Sequence, residues 1–305
     1  MDLFRRKEPK TIHAAAQGGD LAVLQRFMVR DRSALNSIDS THGTPLQAAA
    51  ARANLKSVKH LLAANANPNT RGGDHGTPLQ AALRLESFKG SKKDRAAVVK
   101  ALLASGADPN SWCGERGPPL CLAALHGVCV QELLNAGAKV DDVAPEGFTA
   151  LVAASSEGRL KDVQLLLNAG ANPNFSGRSD LGTALVAAAG HGHLEIMELL
   201  LDKWADPNIP GGFHEYPLLA AVGWECFQDY HDINITVTRI QMVRVLLNAG
   251  ADPTVQTTKF VKNTALEIAQ QSGSRECVEM IAGAVEKWEN TTLSSEASAE
   301  TNASR

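Results

Sequence analysis

The sequence predicts an all-α solenoid of about eight helix-turn-helix units joined by short hairpin loops. Two observations carry that reading. The heptad Gly-Thr-Pro-Leu-Gln-Ala-Ala stands at 43–49 and returns unchanged at 76–82. Looser copies begin at Pro118, Thr149, Thr183, Tyr216 and Thr264, and the intervals Thr44–Thr77, Thr149–Thr183 and Thr183–Tyr216 are 33, 34 and 33 residues. A period of that length marks a stack of one supersecondary unit, each copy burying its apolar face against its neighbours.

Each part of the repeat has a local reason. Thr44-Pro45 starts a helix, with Thr as N-cap and Pro at the first helical position, where its missing N–H costs nothing. Leu46, Ala49 and Ala50 then share a face. A second stripe follows at Val58, Leu61 and Leu62. The alanines allow two short antiparallel helices to approach closely. Gly106, Gly137, Gly170 and Gly250 suit the left-handed position just past the second helix, and Asn65 tolerates it. Pro68, Pro109, Pro173 and Pro253 keep the helix from restarting. Trp204 breaks the rule, a bulky residue where the motif has Gly. Either packing repays its strain or the cap is remodelled.

The Thr-Pro-Leu-x-x-Ala-Ala signature, the Gly-His-Leu-Glu turn at 192–195 and the Ala-Asp-Pro-Asn endings resemble ankyrin repeats. The resemblance covers about 10–288, and the form at 72–82 is similar to arrays common in filamentous fungi. It implies an ankyrin-repeat solenoid that binds other proteins through a concave surface. The chain departs from the family pattern where a His usually follows Leu. Gln47, Gln80, Cys121, Val152, Val186, Leu219 and Glu267 stand there, and only His13 is kept. The Thr–His bond that ties neighbouring repeats in the family is therefore not expected in most of them.

The expected organisation is a capping repeat at 1–40, central repeats at 41–263, a second cap at 264–288 and a polar, disordered tail at 289–305. Two repeats carry insertions between their helices, near 86–94 and 225–239. The first is basic and reads as a mobile solvated loop. The second gathers aromatics and charges. The fourth repeat is two residues short near Val128-Cys129.

Net charge is −3, with Lys+Arg 30 against Asp+Glu 33. No basic stripe occurs, which argues against nucleic acid as a partner. No leader-like apolar region or 18-residue apolar run occurs, so no membrane association is expected. Five cysteines, an odd number, fit a reducing cytoplasmic or nuclear compartment. A monomer is expected. The Met near the first repeat reads as the start of a chain without a preceding nucleotide-binding domain.

Sites of chemistry are scarce. Cys113, Cys121 and Cys129 recur every eight residues, not at the spacing zinc favours. Neither a phosphate-binding loop nor a catalytic motif is present, so no metal, cofactor or enzymatic activity is expected. What remains is large side chains outside the helical stripes. Trp112, Phe148, Phe175 and Phe213 fall at hairpin tips, and His191 at a first-helix position. Trp224 opens the second insertion, followed by Phe227, Tyr230 and His231. These nine are the candidate partner-binding residues, because aromatics often carry binding energy. A second reading takes the cluster at 224–232 as a small-molecule or catalytic site. A third takes the array as the sensor of a larger assembly.

Overall fold

The computed structural model describes residues 11–84, 91–113, 117–223, 233–258 and 263–303. Among these the regular structure is helical, with only isolated bridges at hairpins, as between Asp39 and Gly43. The chain divides into two units, Met1–Pro145 and Glu146–Arg305.

The first unit holds four helix pairs: α1 (Ile12–Gly18) with α2 (Leu21–Arg30), α3 (Pro45–Ala51) with α4 (Leu55–Ala63), α5 (Pro78–Leu83) with α6 (Lys92–Ala104), and α7 (Pro119–His126) with α8 (Val130–Asn135). First helices pack on first helices, α1 on α3, α3 on α5 and α5 on α7, while α2, α4 and α6 stack beside them. Leu46, Leu61, Leu79, Leu102, Leu120 and Leu133 are fully buried, with Ala48–Ala50, Ala81 and Ala82 between them. The small side chains are what let the first helices meet.

Thr44 and Thr77 cap α3 and α5 as expected, each in a reciprocal box with a Gln at the third helical position. The Gln does more than cap. Gln80 accepts from Thr77 N at 3.0 Å and donates through Nε2 to the carbonyl of Gly117, 3.0 Å away in the next hairpin. Gln47 does the same with Thr44 N and with the carbonyls of Gly72 and Gly76. His13 reaches the Ser37 carbonyl at 3.0 Å, and Cys121 Sγ donates to the Asp142 carbonyl at 3.4 Å. The family's cross-tie is therefore kept in this unit by other side chains.

A second ladder runs along the hairpin bases. Asn69 donates to the Gly106 carbonyl and accepts from Asp108 N, and Asn110 repeats this with Gly137 and Lys139. The short fourth repeat is closed by Cys129, whose φ of 62° turns the chain into α8 without a side-chain cap.

The second unit pairs α9 (Ala150–Ser156) with α10 (Leu160–Asn168), α11 (Ala184–Gly190) with α12 (Leu194–Asp202), α13 (Pro217–Gly223) with α14 (Ile233–Asn248), and α15 (Ala265–Gln271) with α16 (Arg275–Ala303). Val152, Val186 and Leu219 take the Gln position and are buried, so apolar packing replaces the polar tie. The asparagine ladder continues through Asn174 and Asn208. Trp204 keeps the left-handed backbone, φ 65°, and its ring is 86% exposed. Neither packing nor a remodelled cap explains it.

Both insertions are shorter as loops than expected. Residues 91–94 belong to a capped helix start, Ser91 capping α6 and Asp94 closing the box. Residues 233–239 lie within α14, so the alternation of Ile233, Ile235 and Val237 is taken up by a helix. The rest, 85–90 and 224–232, lies outside the described residues. Each lengthened helix buries an arginine at the same register, seven residues before the core leucine: Arg95 before Leu102 and Arg239 before Leu246. Arg95 Nη1 donates to the Ala82 carbonyl at 3.1 Å, satisfying the open end of α5.

α16 continues to Ala303, through the stretch that composition assigns to a tail. Past Gly283 the sequence has neither Gly nor Pro to stop it.

Candidate functional site

Five of the nine candidate residues are described. Trp112, in the first unit, is half-buried in its hairpin, and the other four lie in the second unit. Successive hairpins there lie directly on one another. The backbone of Gly147 meets Gly177, and Gly182 meets Gly211 and Gly212, with no space for a Cβ at Gly177 or Gly182. Phe213 N donates to the Asp180 carbonyl at 2.7 Å, and Ser176 Oγ to the Pro210 carbonyl at 2.9 Å. This stacking sets Phe148, Phe175 and Phe213 at consecutive tips. Phe148 and Phe175 are half-buried, and Phe213 is 45% exposed. The Phe213 ring stands edge-on to His214, centroids 5.3 Å apart.

His191 is exposed at the end of α11. Its Nδ1 meets the Ala187 carbonyl at 2.9 Å, and its ring stacks with His193 at 6.2 Å. His193 Nε2 lies 3.0 Å from the Ser156 carbonyl. Burial pulls the His193 imidazole below the usual histidine value; the Ser156 carbonyl and Glu157 oppose this and His191 reinforces it. Burial lowers His214 too, and His191 adds to it. Sequence reasoning read His193 only as part of the Gly-His-Leu-Glu turn at 192–195. The available signal was the pairing of each histidine with a glycine in the preceding helix pair, Gly158 for His193 and Gly190 for His214, which makes room for the ring.

Trp224, Phe227, Tyr230 and His231, where an aromatic centre is expected, lie outside the described residues. Among the described residues no group of three His, Cys, Asp or Glu side chains converges to hold a metal. Among the described residues no two cysteines form a disulfide, and burial pushes the Cys129 thiol up to about 12, an inert form. Among the described residues no helix is long and apolar enough to cross a membrane.

The helix pairs, their capped starts and the hairpin stacking define a class of repeat proteins, and comparison with known proteins agrees. A profile of three ankyrin repeats matches residues 12–111 and 89–177, and a single-repeat profile matches 180–211. The chain belongs to the ankyrin-repeat family. Comparison with curated protein sequences finds no match. Among solved structures, the ankyrin repeat domain of Bcl-3, a member of the IκB family, is 24% identical with a TM-score of 0.59, covering 79% of this chain and 99% of its own. The ankyrin repeat domain of human ASB11 is also 24% identical with a TM-score of 0.59, covering 78% and 97%. At that identity the likeness speaks to the fold.

Proposed function

We propose that this chain is a scaffold or adaptor that binds a partner protein through the hairpin and first-helix side of its repeats. The observation that carries this reading is Phe213. A large apolar ring is held open to solvent by a backbone bond to Asp180 and by the edge of His214. A rigid exposed aromatic loses little conformational freedom on binding, and such residues anchor interfaces. Phe148, Phe175 and His191 extend the surface around it, and Arg178 and Asp180 give it an exposed charged rim. Trp112, Trp224, Phe227, Tyr230 and His231 are proposed as further contacts. The family supports protein binding in general, and the choice of face and residues is ours.

The test is affinity capture from the native cell with wild type and Phe213→Ala in parallel, then calorimetric titration with the captured protein. The reading expects at least a tenfold loss of affinity in the variant, as for an anchor worth ~1.4 kcal/mol or more, with unchanged melting. Equal affinity in the variant would remove this face from the interface.

A further inference from the structure

Beside the asparagine ladder they share, the two units differ in the side chains that tie most of their repeats. In the first, Gln47, Gln80 and Cys121 bond to the next hairpin. In the second, Val152, Val186 and Leu219 cannot, and imidazoles bridge the joints. His193 bonds back to the Ser156 carbonyl of the preceding pair and rests on Gly158, where a Cβ would stand 2.6 Å from Cε1. His214 lies across Gly190 of the preceding pair, where a Cβ would stand 3.0 Å from Cδ2. His191 is stacked on His193, the ring planes within 8°.

We propose that His193 and His214, with His191 stacked on His193, form an acid-sensitive seam along the helix pairs α9–α10, α11–α12 and α13–α14, which loosens when the His193 and His214 rings take up protons. A carbonyl only accepts, so His193 carries its proton on Nε2 and His191 on Nδ1. The second proton on His193 must then go to Nδ1. In acid the His193 and His214 rings become cations at positions where burial opposes charge.

The surrounding charges do not cancel this. Glu157 faces His193 and favours its proton, but it is also held by Arg159 at 3.4 Å. Glu195 lines the shallow recess beside His193 with Leu160 and Thr238. Glu215 adjoins His214 in sequence, yet its carboxylate is turned to Thr258, accepting from the backbone N–H at 2.6 Å and from the hydroxyl. Asp229, His231 and Asp232 lie outside the described residues. Burial fixes the sign. His193 and His214 are held below the unfolded value of about 6.5. Their neutral forms therefore support folding fully above that pH. As pH falls through it the unfolded chain binds more protons than the native one, and stability declines.

The experiment uses the full chain, by thermal melting and amide exchange at pH 7.5 and 5.5. Wild type should lose about 3–6 °C of melting temperature on acidification, with exchange accelerated in 184–223 and little changed in 45–104. His214→Gln and His193→Gln should each remove part of the acid shift. An undiminished shift in the double variant, or acid-accelerated exchange spread equally over both units, would overturn the proposal. Should a variant fail to fold, histidine titration of wild type by NMR decides: His193 and His214 titrating at or above about 6.5 refute it.

Discussion

Trp204→Gly should stabilise this protein. Trp204 has a left-handed backbone, φ 65°, at the position where Gly170 and Gly250 have φ 88° and 85°. For an L-residue that conformation costs roughly 1–2 kcal/mol. The ring returns little, being 86% exposed. The one ladder contact at this residue comes through its main chain, Asn174 Nδ2 donating to the Trp204 carbonyl at 3.0 Å, and a glycine keeps it. Against the relief stands the greater freedom of glycine in the unfolded chain, about 0.4–1 kcal/mol. The difference is a gain of about 0.5–1 kcal/mol, or about 1–3 °C for a chain of this size. Paired urea titrations and melts of wild type and variant at neutral pH would measure it. A lower midpoint in the variant, with unchanged slope, would mean that the ring stabilises the native state, and the reasoning from strain would be wrong.

Gln80→Val should cost about 2–3 kcal/mol in urea unfolding, because it strips partners from Thr77 N and the Gly117 carbonyl while the second unit's valines show that the shape is tolerated. Arg95→Ala should cost about 2–4 kcal/mol by leaving a cavity and an open Ala82 carbonyl, and Arg95→Met should recover part of that by filling the space. Cys129 should resist thiol reagents at pH 8 in the folded chain and react once it is unfolded, since burial holds its thiol up at about 12; fast labelling of native Cys129 would contradict the buried placement.

The fold was legible because the repeat writes its instructions locally. Thr44-Pro45, Asn65 and the glycine at 106 each act within a few residues, and those positions behave as read. The cross-repeat bonds of Gln47 and Gln80 were hidden, because a glutamine three residues into a helix looks like a cap alone until its neighbour is in place. Arg95 and Arg239 were hidden for a related reason. An arginine near the start of a helix reads as solvent-facing, and only the extra turn before the core stripe carries it inward. Of the candidate site, Phe213 and His191 were legible as exposed positions. The partnership of His193 and His214 with Gly158 and Gly190 was not, since it joins residues 35 and 24 positions apart through the space a missing side chain leaves. The helical course of 289–303 was missed because low hydrophobicity was weighed and the lack of helix breakers was not.

The paired arginines also mark a spacing longer than the repeat. Thr44 and Thr183 are 139 residues apart, as are Thr77 and Tyr216, and Arg95 and Arg239 are 144 apart, the excess being the longer second excursion. Among the described residues each unit has four helix pairs, and in each the second helix of the third pair is extended at its start and pinned by a buried guanidinium. Above the 33-residue period there is thus a longer spacing, at which a lengthened helix with a buried arginine recurs in the two units. At the corresponding joints one unit has glutamine and the other valine or leucine.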